Sequence, residues 1–152
     1  MGTSRFPLFV DLAGRTAVVV GGGKVGLRRA EILRRFGAEV TVVSPVLAGP
    51  AAGLRHIPRI YRDGDLAGAF LALAATDDGA VNAAVGREAR RRGILFNRSD
   101  CPEECGFFFP AVCQGDGLTA GLAGDGTDHR KTADMAEKVR SLLVSEERRS
   151  KA

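Results

Sequence analysis

Residues 18–29 read V-V-V-G-G-G-K-V-G-L-R-R, an apolar run that breaks into Gly21-x-Gly23-x-x-Gly26 and resumes as a helix-forming stretch. Such a strand–turn–helix junction presents backbone N–H groups to the pyrophosphate of a dinucleotide. Gly21 permits the turn, Gly23 the close approach of backbone to phosphate, and Gly26 the contact of helix with sheet; Gly22 belongs to the same cofactor turn. The N–H groups at the helix start, aligned with its dipole, hold the anion. A strand before the turn, a helix after it and a further strand at the right distance supply the context that a lone G-x-G-x-x-G lacks.

Working outward, the first strand covers residues 16–20 and the helix runs from near Gly23 to about Phe36. Leu27, Ala30, Leu33 and Phe36 recur at helical spacing and give it one apolar stripe. Gly37 ends the helix, and a second strand over 39–44 stops at Pro45. Residues 6–10 and Leu12 form an apolar lead-in, expected as an edge segment beside the first strand. Downstream, the pattern predicts a short strand within 56–61, a small helix over 65–70 and a buried parallel strand over 71–75. An amphipathic helix over 78–92 carries Val81, Ala84, Val85 and Ala89; Gly93 breaks it and a strand follows at 94–96. This alternation defines an α/β class protein with a Rossmann-like, doubly wound parallel sheet.

After Pro102 the pattern changes. Strands are expected over 107–113 and 118–122, joined by Gly115-Asp-Gly117, then a helix over about 128–144 with Ala136, Val139 and Leu143 on one side. From Glu146 onward the chain is expected to fray. The division read from the sequence is a dinucleotide-binding domain over 1–112 and a small second region over 113–152.

Composition bounds the function. At 152 residues the chain suits one domain with a small appendage, large enough for a real core. The absence of Trp and the single Tyr count against a stacking surface for single-stranded nucleic acid, so no nucleic-acid partner is expected. The 22 Lys and Arg are scattered among 18 acids, which fits either a solvated basic surface or attraction of an anionic small molecule. No apolar stretch approaches the roughly 20 residues of a bilayer span, and no membrane partner is expected. Three cysteines, an odd count with no secretory signal, point to a reducing cytoplasmic compartment. Cys101, Cys105 and Cys113 match neither C-x-x-C nor four-ligand zinc spacing and read as small buried hydrophobes, so no metal site is assigned.

The carboxyl ends of the strands carry the candidate site. An NAD site usually places an acid at the end of the second strand for the ribose hydroxyl; here that position is Ser44, with Pro45 and Val46 following. Ser44 can hydrogen-bond the hydroxyl, and no Arg follows immediately to favour a 2′-phosphate, so the reading favours NAD over NADP. Thr76 and Asp77 leave a buried strand at the cofactor crevice; Asp78 either joins them or starts the next helix. Asn97-Arg-Ser-Asp100 leaves the neighbouring strand at the same edge. Asp100 there either assists proton transfer as hydride leaves or caps a turn before Pro102. His129, beside Asp125, Asp128, Arg130 and Lys131, reads as an anion or metal contact or as a solvated helix end.

Four stretches in order carry a family likeness: F-P-L-F-V-D-L (6–12), V-V-V-G-G-G-K-V-G-L-R-R (18–29), A-A-T-D-D (74–78) and N-R-S-D-C-P-E-E-C-G-F-F-F-P-A (97–111). The last is the most specific, because ordinary Rossmann dehydrogenases lack it. The chain resembles the precorrin-2 dehydrogenase (sirohydrochlorin synthase) family of siroheme biosynthesis. The resemblance implies NAD-dependent oxidation of precorrin-2, a polycarboxylate tetrapyrrole, to sirohydrochlorin by a homodimer whose dimerisation region follows the Rossmann-like part. It places Lys24 and Val25 on the pyrophosphate, Pro45 and Val46 on the adenosine, and Asp100 in dehydrogenation and chelation. Arg98, His129 and Arg130 are the expected substrate contacts. The departure lies at 123–130, where Gly124, Asp128 and His129 replace the family's hydroxyl residue and Ser-Pro and Gly126 is retained. On this reading the separate helical domain of longer relatives is expected to be absent after the following helix. Two other readings stand beside oxidation: ferrochelation of sirohydrochlorin, and a non-enzymatic module that binds nucleotide or tetrapyrrole.

Overall fold

The computed structural model describes residues 5–126 and 128–150, with 145–150 as helical backbone. Two compact units result: Val10–Phe107, and a second made of the described residues before Val10 and from Phe108 onward.

In the larger unit, β1 (Thr16–Val20), β2 (Glu39–Val43), β3 (Arg55–Ile57), β4 (Leu71–Ala74) and β5 (Leu95–Arg98) form one parallel sheet in the order β3-β2-β1-β4-β5. That order is the Rossmann one, and β1 and β4 flank its central reversal, where ligands of such sheets bind. Central strands covered on both faces read as continuous apolar runs, and β4 (Leu-Ala-Leu-Ala) is buried at every position. One face packs Val18, Val20, Val43, Leu66, Ala72, Ala74 and Phe96 with Val85 and Ala89 of helix α2 (Gly79–Arg92). Each such Val, Leu or Phe contributes about 1.5–3 kcal/mol by leaving water.

Helix α1 (Lys24–Arg35) follows β1 and buries Leu27, Ala30 and Leu33 of the expected stripe, while Phe36 is its half-buried C-cap. Gly37, at φ +87°, turns the chain out of it into β2. In α2, Asp78 takes the cap: its Oδ1 accepts from the backbone N–H of Ala80 (2.8 Å) and Val81 (3.3 Å). Gly93 ends α2 in the left-handed conformation.

Three expectations are corrected. Residues 65–70 form turns, not a helix, because Gly64 and Gly68 sit at φ +103° and +76°. Asp65 fastens these turns by accepting from Arg59 Nη1 and Nη2 (2.7 and 2.6 Å) and from the Arg62 N–H (2.8 Å). The apolar lead-in is no edge segment: β1 is paired on both sides, by β2 and β4, and Phe6 is 88% exposed. The strand expected from Phe107 begins only at Ala111, since Pro110 has no N–H for a ladder.

The Arg59 guanidinium holds the Asp65 carboxyl below its ordinary range. A depressed folded value means stability that is present above the unfolded value of about 3.9 and lost as pH falls towards the folded one. The thermal midpoint is therefore expected to drop on acidification below about pH 5, and Asp65→Asn to blunt that drop. A circular-dichroism melt series from pH 7 to 3 checks both.

The smaller unit contains the ribbon β6 (Ala111–Gly115) and β7 (Leu118–Leu122), antiparallel, joined by Asp116-Gly117 at φ +48° and +70°. Two positive φ values make the hairpin turn whose twist matches its strands. Helix α3 (His129–Ser150) lies on this ribbon, with Ala136 buried and Cys113 Sγ donating to the Ala136 carbonyl (3.4 Å). Its backbone stays helical through Ser150, past Glu146 where fraying is expected; residues 151–152 lie outside the described residues. Among the described residues no helix is long and apolar enough to cross a membrane.

Candidate functional site

The glycine turn divides its labour. A Cβ on Gly21 would strike the Ala75 carbonyl, one on Gly22 the Val46 carbonyl, and one on Gly26 the Gly21 carbonyl. A Cβ on Gly23 would meet nothing within 4 Å. Three glycines are thus required by backbone packed against backbone, while the fourth opens onto space. Gly23 caps α1 in extended conformation (φ −69°, ψ 176°) with no side-chain cap, and no acid lies in the first turn. The N–H groups of a helix start without a side-chain acceptor, exposed beside Lys24 and Val25, suit a pyrophosphate. The cradle fits a dinucleotide.

Ser44, the expected ribose contact, lies in the loop after β2. Ser44 is buried and donates its hydroxyl to the Val46 carbonyl (2.8 Å), and His56 Nε2 donates to the Ser44 carbonyl (2.8 Å). The Ala48 N–H bonds the Gly22 carbonyl (2.8 Å), tying this loop to the glycine turn. Pro45 and Val46 are exposed and apolar. Because the Ser44 proton is used inside its own loop, that hydroxyl offers a ribose only an acceptor.

Across the sheet, Thr76 and Asp100 follow β4 and β5. Thr76 is half-buried and Asp77 exposed. Asp100 accepts from Arg98 at both carboxylate oxygens (Nε to Oδ1 2.8 Å, Nη2 to Oδ2 2.9 Å) and from Asn82 Nδ2 at Oδ2 (3.1 Å). These bonds, Arg98 above all, hold the Asp100 carboxyl well below the usual carboxylate range. Asp100 is thus a fixed, ionised carboxylate, 38% exposed.

Arg98, expected as a substrate contact, is already engaged within the chain. Its side chain is 8% exposed and turned onto Asp100 and Glu104 (Nη1 to Oε2 2.9 Å), so it fixes Asp100. Its backbone is clasped by Cys105 Sγ, which accepts from the Arg98 N–H (3.3 Å) and donates to the Arg98 carbonyl (3.2 Å). Asn97 accepts from Arg29 Nη1 (3.0 Å) and donates to the Phe107 carbonyl (2.9 Å). Burial lowers the Arg29 guanidinium from its ordinary value.

His129 and Arg130 open α3 in the smaller unit, exposed, with Asp128 Oδ1 accepting from the Lys131 N–H (3.0 Å). The three cysteines are free, Cys113 buried, and among the described residues no group of three or more His, Cys, Asp or Glu gathers as a metal site.

Asn82 and Glu104 were not legible as site residues. Asn82 had one signal: it lies on the same helical face as Val85 and Ala89, a polar residue where the core stripe calls for an apolar one.

A Rossmann sheet with an open glycine cradle at its switch point defines a dinucleotide-binding protein. The chain belongs to the family described as "Putative NAD(P)-binding", whose profile matches residues 8–111. It is 39% identical over 145 residues to a "Probable multifunctional siroheme biosynthesis protein HemA" of Ruminiclostridium josui, covering 91% of this chain and 28% of that protein. A "Siroheme synthase" of Methylobacillus flagellatus is 40% identical over 143 residues, 90% of this chain and 31% of that one. The chain thus spans less than a third of these relatives' length. A solved structure of "SirC, precorrin-2 dehydrogenase" superposes with a TM-score of 0.77 at 28% identity, covering 91% of this chain and 70% of that one. The family resemblance and the α/β class read from the sequence are borne out.

Proposed function

We propose that this chain oxidises precorrin-2 to sirohydrochlorin with NAD as hydride acceptor, and that it acts as a cytoplasmic homodimer dimerising through residues 113–152. The observation that carries the reading is the ionised Asp100 at the carboxyl edge of β5, two strands from the open cradle at Gly23. Similarity to a precorrin-2 dehydrogenase over most of this chain supports the substrate. For the dimer, the smaller unit exposes Leu118, Met135 and Leu142; the free cysteines suit a reducing compartment.

When bound, NAD supplies a nicotinamide ring that takes up hydride. The N–H groups from Gly23 to Val25 hold its pyrophosphate, and Pro45 and Val46 pack its adenosine. Removing hydride from the reduced macrocycle leaves an electron-poor π system. A fixed carboxylate stabilises that developing positive charge without rearranging. The positive charge also acidifies the departing proton, so a weak base such as Asp100 suffices to receive or relay it. His129 and Arg130 are proposed as contacts for substrate carboxylates.

The test follows NADH and sirohydrochlorin after precorrin-2 is added with NAD or NADP, on protein whose mass light scattering measures. NADH with NAD, stoichiometric sirohydrochlorin and twice the chain mass are expected. Binding of both ligands without NADH means a carrier module instead.

A further inference from the structure

We infer that Asn82 is a positioning residue for this dehydrogenation, setting the Asp100 carboxylate against the cofactor loop at Thr76. The inference rests on the reading just proposed. Backbone pairing between β4 and β5 ends at Ala74 and Arg98, with Ser99 bonding the Ala74 carbonyl just beyond (3.4 Å). Thr76 and Asp100 lie past that ladder, so side chains must set the distance between their loops.

The Asn82 carboxamide does so from the first turns of α2. Its Oδ1 accepts from the Thr76 N–H (3.2 Å) and hydroxyl (2.7 Å). Its Nδ2 donates to the Thr76 carbonyl (3.0 Å) and to Asp100 Oδ2 (3.1 Å). All four hydrogen-bonding positions of the amide are used. The orientation is fixed by chemistry, since a flipped amide would aim NH2 at the Thr76 N–H. Asn82 is 1% exposed, so each lost bond leaves a buried polar atom without water.

Arg98 and Asn82 act on Asp100 differently. Arg98 ends β5 two residues before Asp100 and keeps it ionised, but its guanidinium bonds Asp100 and Glu104, not the Thr76 loop. Asn82 comes from another element and bonds both loops.

Asn82→Asp separates these functions. The substitution is isosteric and keeps the Oδ1 acceptor for Thr76. It replaces the Nδ2 that donates to Asp100 and to the Thr76 carbonyl with a second carboxylate oxygen. Two carboxylates at that distance do not both stay ionised without displacement, and one shared proton restores a hydrogen bond between them.

In the precorrin-2 assay at pH 8, kcat is expected to fall at least about tenfold while the Kd for NAD stays within about threefold. Lowering the pH towards 6 is expected to recover part of kcat, giving a limb absent from the unaltered protein. A kcat within threefold of the unaltered protein at pH 8, or an equal loss at every pH, overturns the inference. If Asn82→Asp fails to fold, Asn82→Gln moves the same amide by one methylene. Reduced kcat with NAD affinity kept then supports the role, and unchanged kcat overturns it. Absence of NADH from the unaltered protein overturns the proposed function and this inference together; an active unaltered protein with an active Asn82→Asp overturns Asn82 alone.

Discussion

Asp100→Ala is expected to lower kcat for precorrin-2 oxidation by about 100- to 1,000-fold while the Kd for NAD changes by less than about threefold. The carboxylate is preset by three hydrogen bonds, so it stabilises charge at the reacting macrocycle without being reorganised during the step. None of its bonds reaches the glycine turn, which is why cofactor affinity should be spared. Removing it leaves the buried Arg98 with Glu104 as its remaining carboxylate. Some stability is therefore lost as well, because a buried charge has lost a partner. Asp100→Asn keeps the side chain's shape and removes the charge. If steady-state kinetics show Asp100→Asn turning over like the unaltered protein, electrostatic stabilisation by Asp100 is wrong. Stopped-flow NADH formation with a parallel NAD titration separates the two effects.

Two neighbouring glycines should respond in opposite ways to the same methyl group. Gly26→Ala drives a Cβ into the Gly21 carbonyl, where neither backbone can yield without opening the turn. Overpacking of this kind costs about 1–3 kcal/mol where side chains can adapt, and here the obstacle is main chain. The thermal midpoint is expected to fall by at least about 5 °C, with NAD binding lost. Gly23→Ala places its Cβ in open space at φ −69°, a conformation any residue adopts. Stability should change by less than about 1 kcal/mol, because the entropy alanine saves on folding is offset by its poorer fit at the N-cap. NAD affinity should fall at least about tenfold, the methyl occupying the phosphate's place. Calorimetry on both variants reads this crossing, and unaltered NAD affinity in Gly23→Ala would move the pyrophosphate away from the turn.

Where local chemistry sets structure, the chain could be read directly. Strand β1, the turn and α1 follow from an apolar run, three spaced glycines and a helical stripe, all within twenty residues. The β6–β7 turn follows from Asp116-Gly117. Reading failed where a short apolar segment had two local solutions. Residues 65–70 look helical until Gly64, Gly68 and the Arg59–Asp65 pair impose turns. Residues 6–10 look like strand until both sides of β1 are filled by other strands.

The candidate site divides along the same line. By itself the sequence determined the dinucleotide cradle, the doubly wound class and Asp100 as a residue at the sheet's carboxyl edge, since each lies in a contiguous motif. Tertiary structure alone decided what those residues do. It turned Arg98 inward, used the Ser44 proton within its own loop and brought Asn82 of α2 between Thr76 and Asp100. The physical reason is register. The Ala74–Arg98 pairing of β4 with β5 brings residues 24 positions apart in sequence to one edge, and side chains meet there at distances that no local pattern encodes.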